Sequence, residues 1–300
     1  MKKNIALVTG GYSGESVISY KSAETIRRHI DPAKWNYFYI DIHPDGWFYV
    51  NEAGQRSPVD KNDFSIQVNG KKQTFDAVLI GLHGTPGEDG KLQGYFDCLH
   101  IPYTSCDAAS SALTFNKRYT VAVAAFAGIP VAKSLHLFKQ APLSSADILA
   151  QLKLPVFVKP NNGGSSLGIS KVSETGQLDA ALDKAFQEDS QVLVEEFIRG
   201  REFTVLISGS HNDPASATVY NPVERVFHPS LPDSEKFLSF DRLWEIYEDE
   251  APMPEQGNFY EYTAVQPELA VQLKKLSMDA YLACGGRGYT RIDIRQDMQT

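Results

Sequence analysis

Lys159 closes the apolar run Val156-Phe157-Val158 and leads, through Pro160, into Gly163-Gly164-Ser165-Ser166-Leu167-Gly168. A lysine on an apolar strand calls for a counter-charge, and phosphate is a natural one. Glycines let the backbone turn its N–H groups toward an anion at close range, while Ser165 and Ser166 add hydroxyl donors. The spacing therefore fits a phosphate cover between two antiparallel strands. A strand-end lysine reaching for water is the plainer reading of the same residues. Arg291 and Asp293 lie two apart in the strand-like run Tyr289 to Ile294 and so share one face. That face offers a cation for a developing oxyanion and a carboxylate for Mg²⁺, or else an ordinary ion pair. Glu15 follows the run Ile5 to Val8, and His83 ends the run Ala77 to Leu82. In an open α/β sheet both positions fall at carboxyl ends of strands, where ligands collect.

Three glycine-rich places resemble known motifs imperfectly. Thr9-Gly10-Gly11-Tyr12-Ser13-Gly14 has the position of a dinucleotide fingerprint, but Thr9 stands where its first glycine belongs. Gly87-Glu88-Asp89-Gly90-Lys91-Leu92 puts leucine where a P-loop needs Ser or Thr. Gly164-Ser165-Ser166-Leu167-Gly168 spells the nucleophile elbow of hydrolases, which requires a helix directly after it. Here the strand-like run Ile169 to Val172 follows instead, and His211 and His228 sit in proline-rich, loop-like sequence.

The elements that must carry these residues change character along the chain. Up to residue 115, apolar runs at Ile5 to Val8, Tyr37 to Ile42 and Ala77 to Leu82 alternate with helical patterns at Glu15 to Ile30 and around Leu92 to Leu99, the signature of βαβ units on a parallel sheet. Trp47 to Val50 and the polar Asn51 to Lys72 read as a hairpin and loop decorating that sheet. Lys117 to Gly128 is an Ala/Val-rich helix stopped by Gly128 and Pro130. Strands at Pro155 to Lys159 and Gly168 to Val172, a helix from Glu174 to Phe186, and strands at Val192 to Ile198 and Phe203 to Ser208 suggest a small antiparallel sheet backed by helices, so a boundary falls near 116. Seven acids between Asp233 and Glu250, against Lys236 and Arg242, read as a long mobile loop or short helix anchored by Phe237, Phe240 and Trp244. Leu269 to Leu282 is an amphipathic helix.

The 300 residues carry 29 Lys and Arg against 37 Asp and Glu, a net charge of −8, which disfavours nucleic acid and anionic membrane surfaces as partners. No apolar run approaches the roughly 18 residues of a membrane span, and Gly10-Gly11 interrupts the N-terminal run before an export signal could form, so a cytoplasmic location is expected. Cys98, Cys106 and Cys284 form no C-x-x-C pair and read as reduced, small core residues.

Taken in order, Gly10-Gly11 to Glu15 and Ser19, Leu82-His83-Gly84 with Gly87-Glu88-Asp89-Gly90, Phe115-Asn116-Lys117, Val158-Lys159-Pro160 with Gly164-Ser165-Ser166, Glu195-Glu196-Phe197-Ile198 with Gly200 to Phe203, and Gly288-Tyr289-Thr290-Arg291-Ile292-Asp293 resemble the D-alanine–D-alanine ligases, ATP-grasp carboxylate–amine ligases. The resemblance runs from residue 4 to about 295. It implies an α/β and α+β ATP-grasp fold: a Rossmann-like N-terminal domain over 1–115, a central lid domain over 116–203 and a C-terminal catalytic domain over 204–300. It implies ATP and Mg²⁺ (or Mn²⁺), D-alanine as substrate, a role in peptidoglycan precursor synthesis, and a homodimer as the common assembly. By matching position, Lys117 and Lys159 contact nucleotide phosphates, and Gly164, Ser165 and Ser166 close over them. Glu195, Phe197 and Ile198 hold adenine and Glu202 the ribose. Glu15, with Ile18 and His83 nearby, holds the first substrate's ammonium, Arg291 stabilises the tetrahedral oxyanion, and Asp293 binds the metal. Glu15, Ser165 and Arg291 carry the catalytic roles.

Two departures stand out. The family's mobile loop carries a Lys-Tyr pair whose lysine reaches ATP and whose tyrosine shapes the second substrate site, whereas here Phe237-Leu238-Ser239-Phe240-Asp241-Arg242-Leu243-Trp244 stands in its place. Arg242 restores the charge, but Leu243 and Trp244 replace neither charge nor hydroxyl, which opens the second substrate to another amine or a D-hydroxy acid. The family also continues beyond the Arg-x-Asp strand with a Glu and an Asn that complete the metal site. Thr300 falls where that hairpin would turn, so the C-terminal domain is expected to be incomplete, and such a chain to bind nucleotide weakly and turn over little.

Overall fold

The computed structural model describes residues 2–209, 213, 216–232, 236–237 and 259–298. It divides into two compact units, Met1–Phe115 and Asn116–Thr300. No helix among the described residues is long and apolar enough to cross a membrane.

In the first unit, strand β1 (Lys3–Gly10) is buried over its last five residues and pairs in parallel with β2 (Trp35–His43). Burial on both faces is what its unbroken Ala6-Leu7-Val8 run requires. Helix α1 (Ser16–His29) forms the crossover, with Arg27, Arg28 and His29 at its negative C-terminal end. β3 (Gly46–Val50) and β4 (Arg56–Pro58) extend the sheet antiparallel beyond β2. β5 (Ile66–Val68) and β6 (Lys71–Gln73) form a separate hairpin, turned by Asn69 and Gly70 with φ of +52° and +75°. β7 (Ala77–Ile80) completes the main sheet, in the order β4-β3-β2-β1-β7, followed by α2 (Lys91–Cys98) and α3 (Ala108–Phe115).

The segment expected to decorate this sheet is part of its core. Val59, Phe64 and Ile66 are buried with Ile40, Phe75, Val78 and Phe96, and Phe64 packs at a tilt against Phe75 and edge-on against Phe96, with centroids 5.4 and 4.8 Å apart. Polar residues between them hid these anchors, because runs of three residues carry no readable period. The cysteines also depart from expectation: Cys98 is exposed and Cys106 and Cys284 are half-buried, none of them in the core.

The second unit holds two sheets. α4 (Lys117–Phe126) precedes β8 (Ser134–Phe138), α5 (Ser145–Leu149), β9 (Val156–Pro160), β10 (Ser170–Val172), α6 (Leu178–Glu188) and β11 (Gln191–Glu196). These strands form an antiparallel sheet in the order β10-β9-β11-β8, with Val156, Val158, Val192 and Val194 packed on Leu178 and Leu182 of α6. The fourth strand is therefore β8, and Phe203 to Ser208 does not join this sheet. That run lies in β12 (Glu202–Ser208), centre of a second sheet with β13 (Thr218–Val219), β14 (Val223–Phe227), β15 (Tyr260–Ala264) and β16 (Tyr289–Arg295). Phe203 and Val205 pack with Leu273 of α7 (Pro267–Ala283) on one face. The other face carries Glu202, Arg291 and Asp293. The expected junction at 203 and 204 thus lies inside β12, just past the connection between the two sheets.

Candidate active site

Within the second unit, the glycine–serine loop joins β9 to β10, which pair antiparallel through Val158↔Ser170. Left-handed backbone recurs at Gly163, Ser165, Ser166 and Gly168, with φ of +105°, +51°, +60° and +71°. Two of these are non-glycine residues, a conformation held only where the surroundings enforce it. A strand rather than a helix follows, which excludes the hydrolase elbow. Lys117 Nζ donates to the Gly163 carbonyl at 2.8 Å, tying α4 to the loop. The root of the loop is fastened further by Asn161, fully buried, whose carbonyl accepts Lys117 N at 2.9 Å and whose Oδ1 accepts Arg118 N at 3.0 Å. Asn116 caps Tyr119 N at 3.0 Å. The first amides of α4 are thus occupied by protein, and an anion here must be met by lysines and the loop.

Lys159 has its counter-charge inside the fold. Its ammonium pairs with Glu195, a diagonal neighbour on β11, and the two side chains are only 20% and 18% exposed. The water-facing reading of Lys159 fails. An ammonium carries three donors, so one bond to Glu195 is compatible with further bonds to phosphate. Beyond Glu195, the Phe197 N–H donates to the Pro155 carbonyl at 3.1 Å, and the Phe197 ring packs on Phe157 at 5.6 Å. Phe237 lies 5.7 Å from Phe157. Phe240, Arg242, Leu243 and Trp244 lie outside the described residues.

On the polar face of the second sheet, cross-strand register makes rows. Glu202 faces Arg225 on β14 and Arg295 on β16, and pairs with both. Thr204 faces Asp293 and donates to its Oδ1 at 2.6 Å. Arg291 Nη2 reaches Asp293 Oδ2 at 3.1 Å on the open part of the face, where the two side chains are 60% and 50% exposed. Arg291 and Asp293 do share one face, and as an ion pair. Among the described residues no three His, Cys, Asp or Glu side chains gather as a metal site. Asp293 offers one carboxylate, the share a nucleotide-bound Mg²⁺ takes when phosphate oxygens and water supply the rest.

In the first unit, Glu15 opens α1 at the end of β1 and is 2% exposed. Ile18, also buried, donates its N–H to the Glu15 carbonyl at 2.9 Å. His83 follows β7, its N–H on Ser19 Oγ and its Nε2 on Ser22 Oγ, both at 2.8 Å. Burial lowers its pKa, opposed by the charge of Glu15, which leaves a neutral imidazole at pH 7. Gly84 backs this arrangement so closely that a Cβ there would lie 2.4 Å from Ser13 Oγ and 2.7 Å from Glu15 Oε2. Its N–H donates to Glu88 Oε2 at 2.8 Å. The Glu88 carboxyl, crowded by protein although 44% of its side chain stays exposed, is raised to about 7 by that crowding; the Gly84 bond opposes this and the Glu15 charge adds to it.

Several partners were not singled out in the sequence: Asn161, Lys171, Arg225 and Arg295. Arg295 had a readable signal, since it continues the two-residue period of Arg291 and Asp293. Lys171, 4.1 Å over the Phe197 ring, needed the β9–β10 register that sets it opposite Phe157.

A parallel-sheet unit followed by two antiparallel sheets and a lysine-fastened glycine–serine loop is the architecture of an ATP-grasp ligase. Family models described as D-ala D-ala ligase N-terminus and C-terminus match residues 4–106 and 123–300. The chain belongs to the D-alanine–D-alanine ligase family and is an ATP-dependent ligase. It is 39% identical over 293 residues to the D-alanine–D-alanine ligase of Parabacteroides distasonis, covering 98% of this chain and 83% of that one. The Flavobacterium johnsoniae enzyme is 45% identical over 203 residues, 68% of this chain and 63% of that one. Among solved structures, the VanG D-Ala:D-Ser ligase from Enterococcus faecalis superposes with a TM-score of 0.76 at 27% identity, covering all of this chain and 88% of that one. D-alanyl-alanine synthetase A from Vibrio cholerae gives 0.80 over 99% and 86% of the two chains; at 24% identity it speaks for the fold alone.

Proposed function

We propose that this chain joins two D-alanines at the expense of ATP, in the cytoplasm, as a step toward peptidoglycan precursors. The observation that carries the reading is the left-handed glycine–serine loop held by the Lys117 ammonium in a chain of this family. A carboxylate oxygen of the first D-alanine takes the γ-phosphoryl group and ADP departs. The amine of the second D-alanine, having lost a proton, attacks the acyl carbon, and the C–O bond to phosphate breaks. Lys117, Lys159 and the Gly164-Ser165-Ser166 backbone and hydroxyls hold the phosphates, which places no charge on the already bonded α4 amides. Ser165 stands at the transferring group. Phe197, Ile198 and Glu195 receive adenine and Glu202 a ribose hydroxyl. Glu15 receives the first ammonium beside Ile18 and a neutral His83 that does not compete for the charge. Arg291 meets the oxyanion of the tetrahedral intermediate. Asp293 would hold a Mg²⁺ or Mn²⁺ bound with the nucleotide, which would supply screening of the phosphate charge. We extend the reading to three working parts, 1–115, 116–203 and 204–300, and to a homodimer; the resemblance supports both.

ATP-dependent phosphate release from the full-length protein across D-alanine, L-alanine, D-serine and D-lactate tests the reading. D-Alanine should give the largest response, and no response to it would sink the proposal. Lys159→Ala should abolish nucleotide binding and Glu15→Gln should mainly raise the KM of the first substrate, with the reverse pattern undoing those roles.

A further inference from the structure

We infer that Arg295 is a positioning residue for nucleoside recognition, acting through Glu202 and Phe197. The inference rests on the assignment of Glu202 to ribose and Phe197 to adenine made above. Antiparallel register sets Arg295 directly opposite Glu202, with Arg225 opposite on the other side, so one carboxylate is bracketed by two guanidinium groups in a single row of the sheet. Arg295 is 19% exposed and uses three features of its side chain at once. One nitrogen pairs with Glu202 Oε1, the other donates to the Ile198 carbonyl at 2.9 Å, and its Cζ lies 4.7 Å from the Phe197 ring centroid. Arg225 donates to Glu202 Oε2 at 3.2 Å and is itself braced by the Tyr260 and Tyr262 rings at 5.4 and 5.8 Å.

An ionised carboxylate has about four acceptor positions. One bond to each oxygen fixes its orientation and leaves acceptor capacity for a sugar hydroxyl. The bond to Ile198 O holds the adenine segment by the same guanidinium, so base wall and ribose acceptor move together. Burial brings the Arg295 pKa down to about 10, which keeps it charged at pH 7. A lysine lacks the planar fork that spans both acceptors and stacks on Phe197, and a methionine of similar length has no donor at all. Lys159 joins the phosphate side to the adenine side through Glu195, whereas Arg295 meets Glu202 and Ile198, so substitution of Arg295 bears first on base and sugar.

Calorimetric titration of the full-length protein with ATP, 2′-deoxy-ATP, 3′-deoxy-ATP and inorganic tripolyphosphate tests this in wild type, Arg295→Met, Arg295→Lys and Glu202→Gln. Wild type should prefer ATP over at least one deoxy analogue by roughly tenfold, the worth of one charge-assisted hydrogen bond. Arg295→Met should reduce that ratio to about twofold or less, with Arg295→Lys between, while tripolyphosphate affinity changes by less than about twofold. The preference at wild-type size in both Arg295 variants overturns the inference and leaves the Glu202 assignment standing. A wild type without any preference, and a Glu202→Gln variant that binds ATP as before, overturn the ribose assignment itself and the inference with it. Should Arg295→Met fail to fold, the ratio in Arg295→Lys decides: intermediate supports the inference, wild-type size overturns it.

Discussion

Gly84→Ala isolates how the first unit shapes the pocket around Glu15. The backbone at Gly84 is left-handed, φ +70°, and an added methyl would lie 2.4 Å from Ser13 Oγ and 2.7 Å from Glu15 Oε2. The conformational part alone costs about 1–2 kcal/mol. Moving two polar groups aside adds about 1–3 kcal/mol, as in other overfilled sites. Gly54 supplies the control: its φ is +77°, and a Cβ there meets nothing within 4 Å, so Gly54→Ala carries the conformational part only. With an unfolding entropy of about 2.1 cal/mol/K per residue, a unit of this size melting by itself should lose about 4–8 °C for Gly54→Ala and about 8–20 °C for Gly84→Ala. The chemical consequence should be larger than the thermal one. Restoring ordinary contact pushes Glu15 Oε2 by about 0.7 Å, enough to weaken a charge-assisted bond to an ammonium and raise the first-substrate KM by about tenfold or more. Calorimetric melting and D-alanine saturation curves measured on both variants would settle it. Equal Tm losses in the two, with an unchanged D-alanine KM in Gly84→Ala, would refute both the packing argument and the assignment of Glu15.

Three further outcomes follow from the geometry. Phe64→Ala, in the segment that the sequence presented as surface, should cost about 3–5 kcal/mol in denaturant unfolding. Asn161→Ala leaves the Arg118 amide without its acceptor and should cost about 1–3 kcal/mol, together with a measurable loss of ATP affinity as the root of the loop slackens. Glu88 sits near 7 in the fold against about 4.5 in the unfolded chain, so the folded state binds the extra proton and its contribution to stability falls as pH rises from about 4.5 to 7. His83, with a lowered pKa, works in the opposite sense as pH falls below its ordinary value, so the comparison is wild type against Glu88→Gln. The variant should lack the downward trend across that window; matching pH profiles would remove Glu88 as its source.

Much of the architecture was readable from pattern. The parallel-sheet alternation up to residue 115 and the runs that became β9, β11, β12, α7 and β16 announced themselves because long buried strands and amphipathic helices leave unbroken periods. Phe64 and Phe75 escaped because each is a lone anchor among polar residues, and β8 because nothing local shows which sheet a five-residue strand will enter. The site divides the same way. Ordered motifs name candidate residues, but they do not show how those residues pair. That Lys159 would find Glu195, and Glu202 two arginines, depends on the register of strands dozens of residues apart, a property of the assembled sheet and not of any stretch of chain.

The way α4 begins has a kinetic meaning. A helix N-terminus ordinarily offers a fixed positive field to an anion, yet here Asn116 and Asn161 have already consumed it. On the proposed reading, grip on the nucleotide's tail is shared between the Gly164-Ser165-Ser166 loop and the Lys117 and Lys159 ammonium groups, and the ammonium share is screened by salt. Spent ADP and phosphate leave a site whose hold weakens as ionic strength rises, so release should quicken with added salt well before the chain itself loosens.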